Sequence, residues 1–168
     1  MDNCICFKAP WGTSLKVVTG ISLVILGWVA FAGLTIQRAP SWVAVLQVML
    51  PLSLVAGCAP FVIRSYEVSG GELRVRRLGW TARFALKGLK SAINAPPDAL
   101  RGSLRVCGNG GLFVFAGWFW SKRLGWYRLL ATNPRRCVIL SFENRRVVVS
   151  PEPAEAFVHR IKEQAGLA

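Results

Sequence analysis

Acidic and titratable side chains are what this sequence has least of. Against 21 Lys and Arg stand 8 Asp and Glu and one histidine, His159. General acid–base and nucleophilic catalysis both need titratable groups that converge. Here Asp98 and six glutamates are scattered, and Glu155–His159 reads as an i, i+4 surface pair. The scarcity argues against an enzyme. Cysteine offers no metal framework either. Cys4-x-Cys6 lacks a second pair, Cys58, Cys107 and Cys137 are far apart, and the histidine is distant, so zinc spacing is missing. An odd, dispersed set fits a reducing compartment, with Cys107 and Cys137 expected as small buried hydrophobes. No metal or other cofactor is implied.

Charge is missing altogether from two long stretches. Val17–Ile36 runs 20 residues and Trp42–Ile63 runs 22 residues without a charged side chain. As helices, each reaches about 30 Å, the thickness of a bilayer's hydrocarbon core. Only Gln37–Ser41, with Arg38 and Pro40, separates them, which reads as the tight turn of a transmembrane helical hairpin (helices over 15–36 and 42–63) behind a short segment, 1–14. The first run is longer than the apolar core of a signal peptide and a second follows at once, so it is expected to be retained. No carboxylate or basic residue marks an ion or substrate path inside the runs, which argues against a transporter. Pro51 and Pro60 are expected to bend the second helix. Ser53 and Gly57 form a small-xxx-small pair, expected to pack on the first helix or on a partner's helix.

Two crossings put both termini on one side. That side carries Lys8, Lys16, Arg64, Arg74, Arg76 and Arg77, while the connecting turn carries Arg38 alone. The positive-inside rule then makes the terminal side cytoplasmic. Trp11 and Trp42 fit interfacial anchors.

From Arg64 onward lie 18 of the 21 cations and 7 of the 8 acids, so +11 of the +13 belongs to residues 64–168. A basic domain beside a bilayer attracts anionic headgroups; nucleic acid is the other polyanion to weigh. The pattern is strand-like. Phe61–Val68 and Glu72–Leu78 flank Ser69-Gly70-Gly71, a hairpin signal. In the second run Leu73 and Val75 face one way, Arg74 and Arg76 the other. Thr81–Leu86 reads as a third strand, Lys87–Ala95 is ambiguous, and Pro96-Pro97-Asp98 forces a loop. A meander follows: strands at Ser103–Cys107, Leu112–Ala116, Trp126–Thr132, Cys137–Phe142 and Arg145–Val149, with Gly108–Gly111 as a turn and Gly117–Gly125 as a loop. The chain closes with a helix capped by Ser150 and begun at Pro151, with Ala154, Phe157, Val158 and Ile161 on one apolar stripe.

About seven strands and one amphipathic helix make a barrel with a plug, an order that resembles that of a pleckstrin-homology (PH) domain. The segments Arg105–Phe113, Gly117-Trp118-Phe119-Trp120, Leu124–Tyr127, Thr132-Asn133-Pro134 and Val148–Pro151 resemble small bacterial membrane proteins that carry a bacterial PH-like domain behind two transmembrane helices. The resemblance implies a membrane helical hairpin plus a mainly-β PH-like barrel, acting as a tethered, non-enzymatic interaction module. Phosphoinositide-binding PH domains use a basic pattern that Arg64 and Arg74-Val75-Arg76 loosely match; Glu67, Glu72 and the short Val68–Gly71 loop depart from it. PTB relatives of this fold bind peptides by strand addition instead.

Two clusters are the candidate ligand sites. Arg64, Arg74, Arg76 and Arg77 are the basic one, or else a solvated strand face. Trp118, Trp120, Lys122 and Arg123, beside Phe119 and Trp126, mix aromatics with cations. That mixture suits a headgroup zone, a barrel filling or, less well, a single-stranded nucleic-acid platform. Gly108–Gly111 could cradle an anion but lacks the Lys and Ser/Thr of a P-loop, so a β-turn is expected. Arg145 and Arg146 read as a charged edge. The expected partners are membrane lipids and a protein. The rival reading makes the chain an accessory subunit of a larger membrane complex, working through its hairpin.

Overall fold

The computed structural model describes residues 4–35, 40–96 and 98–167. Gln37, Arg38 and Ala39 of the expected helical turn, and Pro97 of the expected loop, lie outside the described residues.

The first element is one the sequence did not announce. Strand β1 (Ile5–Lys8) precedes helix α1 (Thr13–Thr35), helix α2 (Ser41–Cys58) and strand β2 (Ile63–Ser69). β1 pairs antiparallel with β2, Ile5 opposite Val68 and Lys8 opposite Ser65. The helical hairpin is thus an insertion between two neighbouring strands, and both its ends rise from the same sheet. Phe7 is buried and meets Phe157 edge-on with ring centroids 5.1 Å apart.

Both helices are long and apolar enough to cross a membrane, and their flanks are largely uncovered: Val24, Trp28, Leu34, Trp42 and Leu52 are all exposed. α2 is shorter than expected. It ends at Cys58, and Ala59–Phe61 tightens into a 3-10 turn where Pro60 cannot donate a helical hydrogen bond. The helices touch at Gly33, where a Cβ would come within 2.6 Å of the Gln47 Cβ. Ser53 and Gly57 do not pack on α1. Ser53 is exposed and donates its hydroxyl to the Leu50 carbonyl at 2.9 Å, and nothing lies within 4 Å of a Cβ at Gly57.

Four strands form the first sheet, in the order β1-β2-β3-β4, with β3 at Glu72–Arg77 and β4 at Thr81–Ala85. Gly70 and Gly71, both at positive φ, turn the β2–β3 hairpin as expected. Six more form the second: β5 (Leu89–Asn94), β6 (Leu104–Gly110), β7 (Phe115–Ser121), β8 (Gly125–Ala131), β9 (Val138–Phe142) and β10 (Arg146–Val149), ordered β5-β9-β10-β8-β7-β6. The fold is the expected mainly-β PH-like one with more strands than the seven anticipated. The meander is broken once, because β10 runs parallel to β8. Thr132–Cys137 is too long for a hairpin and carries the chain past one strand position, so β10 returns between β8 and β9. The strand ends at Ala131 and Val149 then lie side by side. Ser150, expected to cap a helix, instead accepts from the Thr132 and Asn133 N–H groups at 2.8 and 3.2 Å.

The core lies between the sheets, with Tyr66, Val68, Leu73 and Val75 facing Leu130, Leu140, Val147 and Val149. Helix α3 (Ala154–Ala165) closes it with Phe157 and Ile161, on the expected stripe. It starts at Ala154 and not at Pro151. Pro153 disfavours helical geometry at Glu152, and the Pro153 carbonyl accepts the first helical bond, from the Phe157 N–H. Leucine-sized burial of this kind contributes about 1.5–3 kcal/mol per side chain.

Candidate functional site

The base of the hairpin is bolted to the domain at two points. On α1, Leu15 and Thr19 are buried, and Thr19 Oγ1 donates to the Gly111 carbonyl at 2.8 Å in the β6–β7 turn. At the exit of α2, the Gly79 N–H donates to the Pro60 carbonyl at 3.0 Å and the Leu78 N–H to Val62 at 2.9 Å. Phe61 meets Trp80 edge-on at 4.7 Å. The β3–β4 and β6–β7 turns therefore sit where the helices leave the domain.

Between these two bolts lies a pocket of about 140 Å³ lined by Phe61, Arg77, Gly108, Gly117, Trp118 and Arg128, among others. Its floor is made by two glycines directly opposite each other, Gly108 in β6 and Gly117 in β7, at φ +127° and +155°. A Cβ at Gly108 would run into the Ala116 carbonyl oxygen. These glycines allow a close cross-strand approach. The expected turn at Gly108–Gly111 is therefore a strand through Gly110, and the backbone forms no anion cradle there.

The basic cluster is split by strand alternation. Arg74 and Arg76 point outward, opposite to Leu73 and Val75, and each meets a carboxylate: Glu72 at 3.4 Å and Glu67 at 3.0 Å. Arg64 is exposed beside the β2 bulge. Arg77 continues the inward parity of Leu73 and Val75, and is only 8% exposed. Its guanidinium carbon lies 5.3 Å from the Trp80 ring centroid and 5.9 Å from that of Phe61. No ion pair reaches it among the described residues, and its Nε meets no acceptor. Burial lowers its affinity for the proton, and the nearby Arg128 lowers it further.

The aromatic cluster is divided in the same way. The expected loop Gly117–Gly125 is mostly strand, since β7 runs to Ser121. Trp118 faces the same side as Arg128, and Trp120 the same side as Trp126. Phe119 turns to the other side and stacks on Tyr127 at 5.8 Å. Lys122 and Arg123 stand exposed in the β7–β8 turn. The fold thus brings Arg77 and Trp118 together and leaves Arg64, Arg74, Arg76, Lys122 and Arg123 outside the pocket. Arg128 was missed by the sequence reading. Its parity was the available signal, because it lies two residues from Leu130, a core residue, and so on the same face of β8.

Other expected features fall elsewhere. His159 and Glu155 are exposed on α3. Cys137 is buried as expected, its thiol pushed up to about 12 by burial, whereas Cys107 is exposed on edge strand β6. Among the described residues no three His, Cys, Asp or Glu side chains gather as a metal site.

A family profile described as the bacterial PH domain matches residues 64–165. The chain belongs to the bacterial PH domain family. Neither the curated proteins nor the solved structures hold a match to it. The bacterial PH domain profile begins at Arg64 and so leaves out β1, α1 and α2, although β1 completes the domain's first sheet.

Proposed function

We propose that this chain is a two-pass, membrane-anchored interaction module whose bacterial PH domain works at the cytoplasmic face. There it binds a partner protein or anionic lipid headgroups and performs no catalysis. One observation carries the reading: the apolar hairpin is inserted between β1 and β2. A cleavage after α1 would remove strand β1 and its buried Phe7, which supports a retained anchor over a leader peptide. The charge asymmetry across the helices supports the cytoplasmic side. The test is fractionation followed by labelling of the exposed Cys107 with an impermeant thiol reagent in spheroplasts. A chain that resists alkaline carbonate and is labelled only after lysis fits. Release by carbonate would sink the anchor, and labelling of intact spheroplasts would sink the sidedness.

A second reading makes the hairpin itself the working surface of a larger membrane complex. The open flank at Ser53 and Gly57 favours it. It requires that Ser53→Leu or Gly57→Leu abolish co-purification of a partner while substitutions in the domain leave it intact.

A further inference from the structure

Two arginines share one small pocket, and among the described residues neither meets a carboxylate. Arg77 is nine-tenths buried, without an ion pair and with an unmet Nε. Arg128 lines the same space and also forms no ion pair among the described residues; its guanidinium lies over the Phe84 ring at 5.6 Å. No Asp or Glu lines the pocket. A buried cation is costly unless paired, and the half-buried Arg128 nearby makes the charge on Arg77 costlier still. An apolar side chain at Arg77, continuing Leu73 and Val75, would have filled the position more cheaply. The geometry points to a binding site for a phosphate group held between Arg77 and Arg128.

The volume and the place narrow the ligand. About 140 Å³ equals the liquid volume of roughly four or five waters, enough for one tetrahedral anion and too little for a whole headgroup with its chains. Phe61, which lines the pocket, is the last residue of the turn that ends α2. This part of the inference rests on the membrane-anchored reading: with α2 in a bilayer, the pocket lies at headgroup depth. The phosphate is then that of an anionic phospholipid. Arginine suits it, because its planar fork matches phosphate oxygens two at a time. The site is distinct from the outward Arg74 and Arg76, whose charges Glu72 and Glu67 already meet.

The full chain in delipidated detergent micelles provides the test, by thermal unfolding with phosphatidylglycerol, with phosphatidylcholine of the same acyl chains, or with inorganic phosphate against chloride at equal ionic strength. Phosphatidylglycerol should raise the midpoint and phosphatidylcholine should not. Arg128→Gln should weaken the apparent affinity by about tenfold or more. Arg77→Met should raise the lipid-free midpoint and abolish the lipid response. Arg76→Gln should respond as the parent does. If inorganic phosphate alone gives the full shift, the phosphate site stands and its source is soluble. Equal shifts from both lipids would overturn the anionic phospholipid as the source of the phosphate, and an unchanged response in Arg128→Gln would overturn the pocket. That failure in a chain that resists carbonate leaves the anchor standing, so the two readings fail separately.

Discussion

Thr19 and Gly111 lie 92 positions apart in the chain, yet the Thr19 hydroxyl donates to the Gly111 carbonyl at 2.8 Å and accepts from the Phe113 N–H at 3.1 Å. One side chain thereby satisfies two backbone groups of the β6–β7 turn. It also fixes the base of an otherwise exposed helix on the domain. A helix bolted in this way does not swing on a linker, and on the membrane-anchored reading proposed above it would hold one face of the domain toward the bilayer.

Thr19→Val should therefore loosen the junction. Both backbone groups lose their partner while buried, at a cost of about 1–3 kcal/mol. The thermal midpoint of the full chain should fall and the Phe113 amide should exchange faster, with Thr19→Ser restoring both. An unchanged exchange rate in Thr19→Val would show that the turn does not depend on the helix.

Strand β1 should prove part of the domain although the family profile starts after it. Phe7 is 5% exposed and sits against Phe157. Phe7→Ala should cost about 3–5 kcal/mol, the range for large-to-small changes in a core. Equilibrium unfolding of the full chain in detergent measures this. A loss no greater than that of an exposed control, Ile5→Ala, would mean that β1 only rests on the sheet.

What was legible in the sequence was local. Charge-free length announced the two helices, Gly70-Gly71 the β2–β3 hairpin, and the spacing of Ala154, Phe157, Val158 and Ile161 the buried stripe of α3. What was not legible depended on distant partners. Ile5–Lys8 is four residues long and pairs with a strand on the far side of the whole hairpin. Gly108 and Gly117 read as turn residues because a glycine marks a turn and a close cross-strand approach alike. Arg74, Arg76 and Arg77 read as one basic cluster by proximity in sequence, though alternation already set Arg77 on the inner face. Its meeting with Arg128 needs the sheets to close, and nothing local encodes that.

The parallel junction of β8 and β10 should hinge on one hydroxyl. Ser150 Oγ accepts from the buried Thr132 N–H and the half-buried Asn133 N–H and lies 3.4 Å from the buried Tyr66 hydroxyl. Ser150→Ala should cost about 1–3 kcal/mol because it strands buried donors. Tyr66→Phe should also cost about 1–3 kcal/mol, because it strands the buried Ser150 N–H, which donates to the Tyr66 hydroxyl at 3.3 Å, and the Leu130 carbonyl, which accepts from it at 2.9 Å. Denaturant midpoints measure both, and no loss in Ser150→Ala beside a full loss in Tyr66→Phe would locate the clasp at Tyr66.

Alkaline pH should destabilise the domain in two steps. Burial raises the Cys137 thiol from 9.0 to about 12 and the Tyr66 phenol from 10.0 to about 12. Both groups are neutral when protonated, and the folded state holds the proton more tightly than the unfolded state does. Their contribution is complete below the unfolded values. It falls as pH rises from there toward the folded values, since the unfolded chain then binds fewer protons. Each unit within that window removes up to about 1.4 kcal/mol per group. Cys137→Ala should therefore hold its stability from pH 9 to 10, where the parent already declines, and above pH 10, where Tyr66 begins to titrate, should decline through Tyr66 alone and so less steeply than the parent, which loses both contributions. Urea midpoints at half-unit steps, taken as the difference between the two chains, remove the common effect of lysine titration. Parallel curves from pH 8 upward would show that Cys137 ionises freely and is not held in the core.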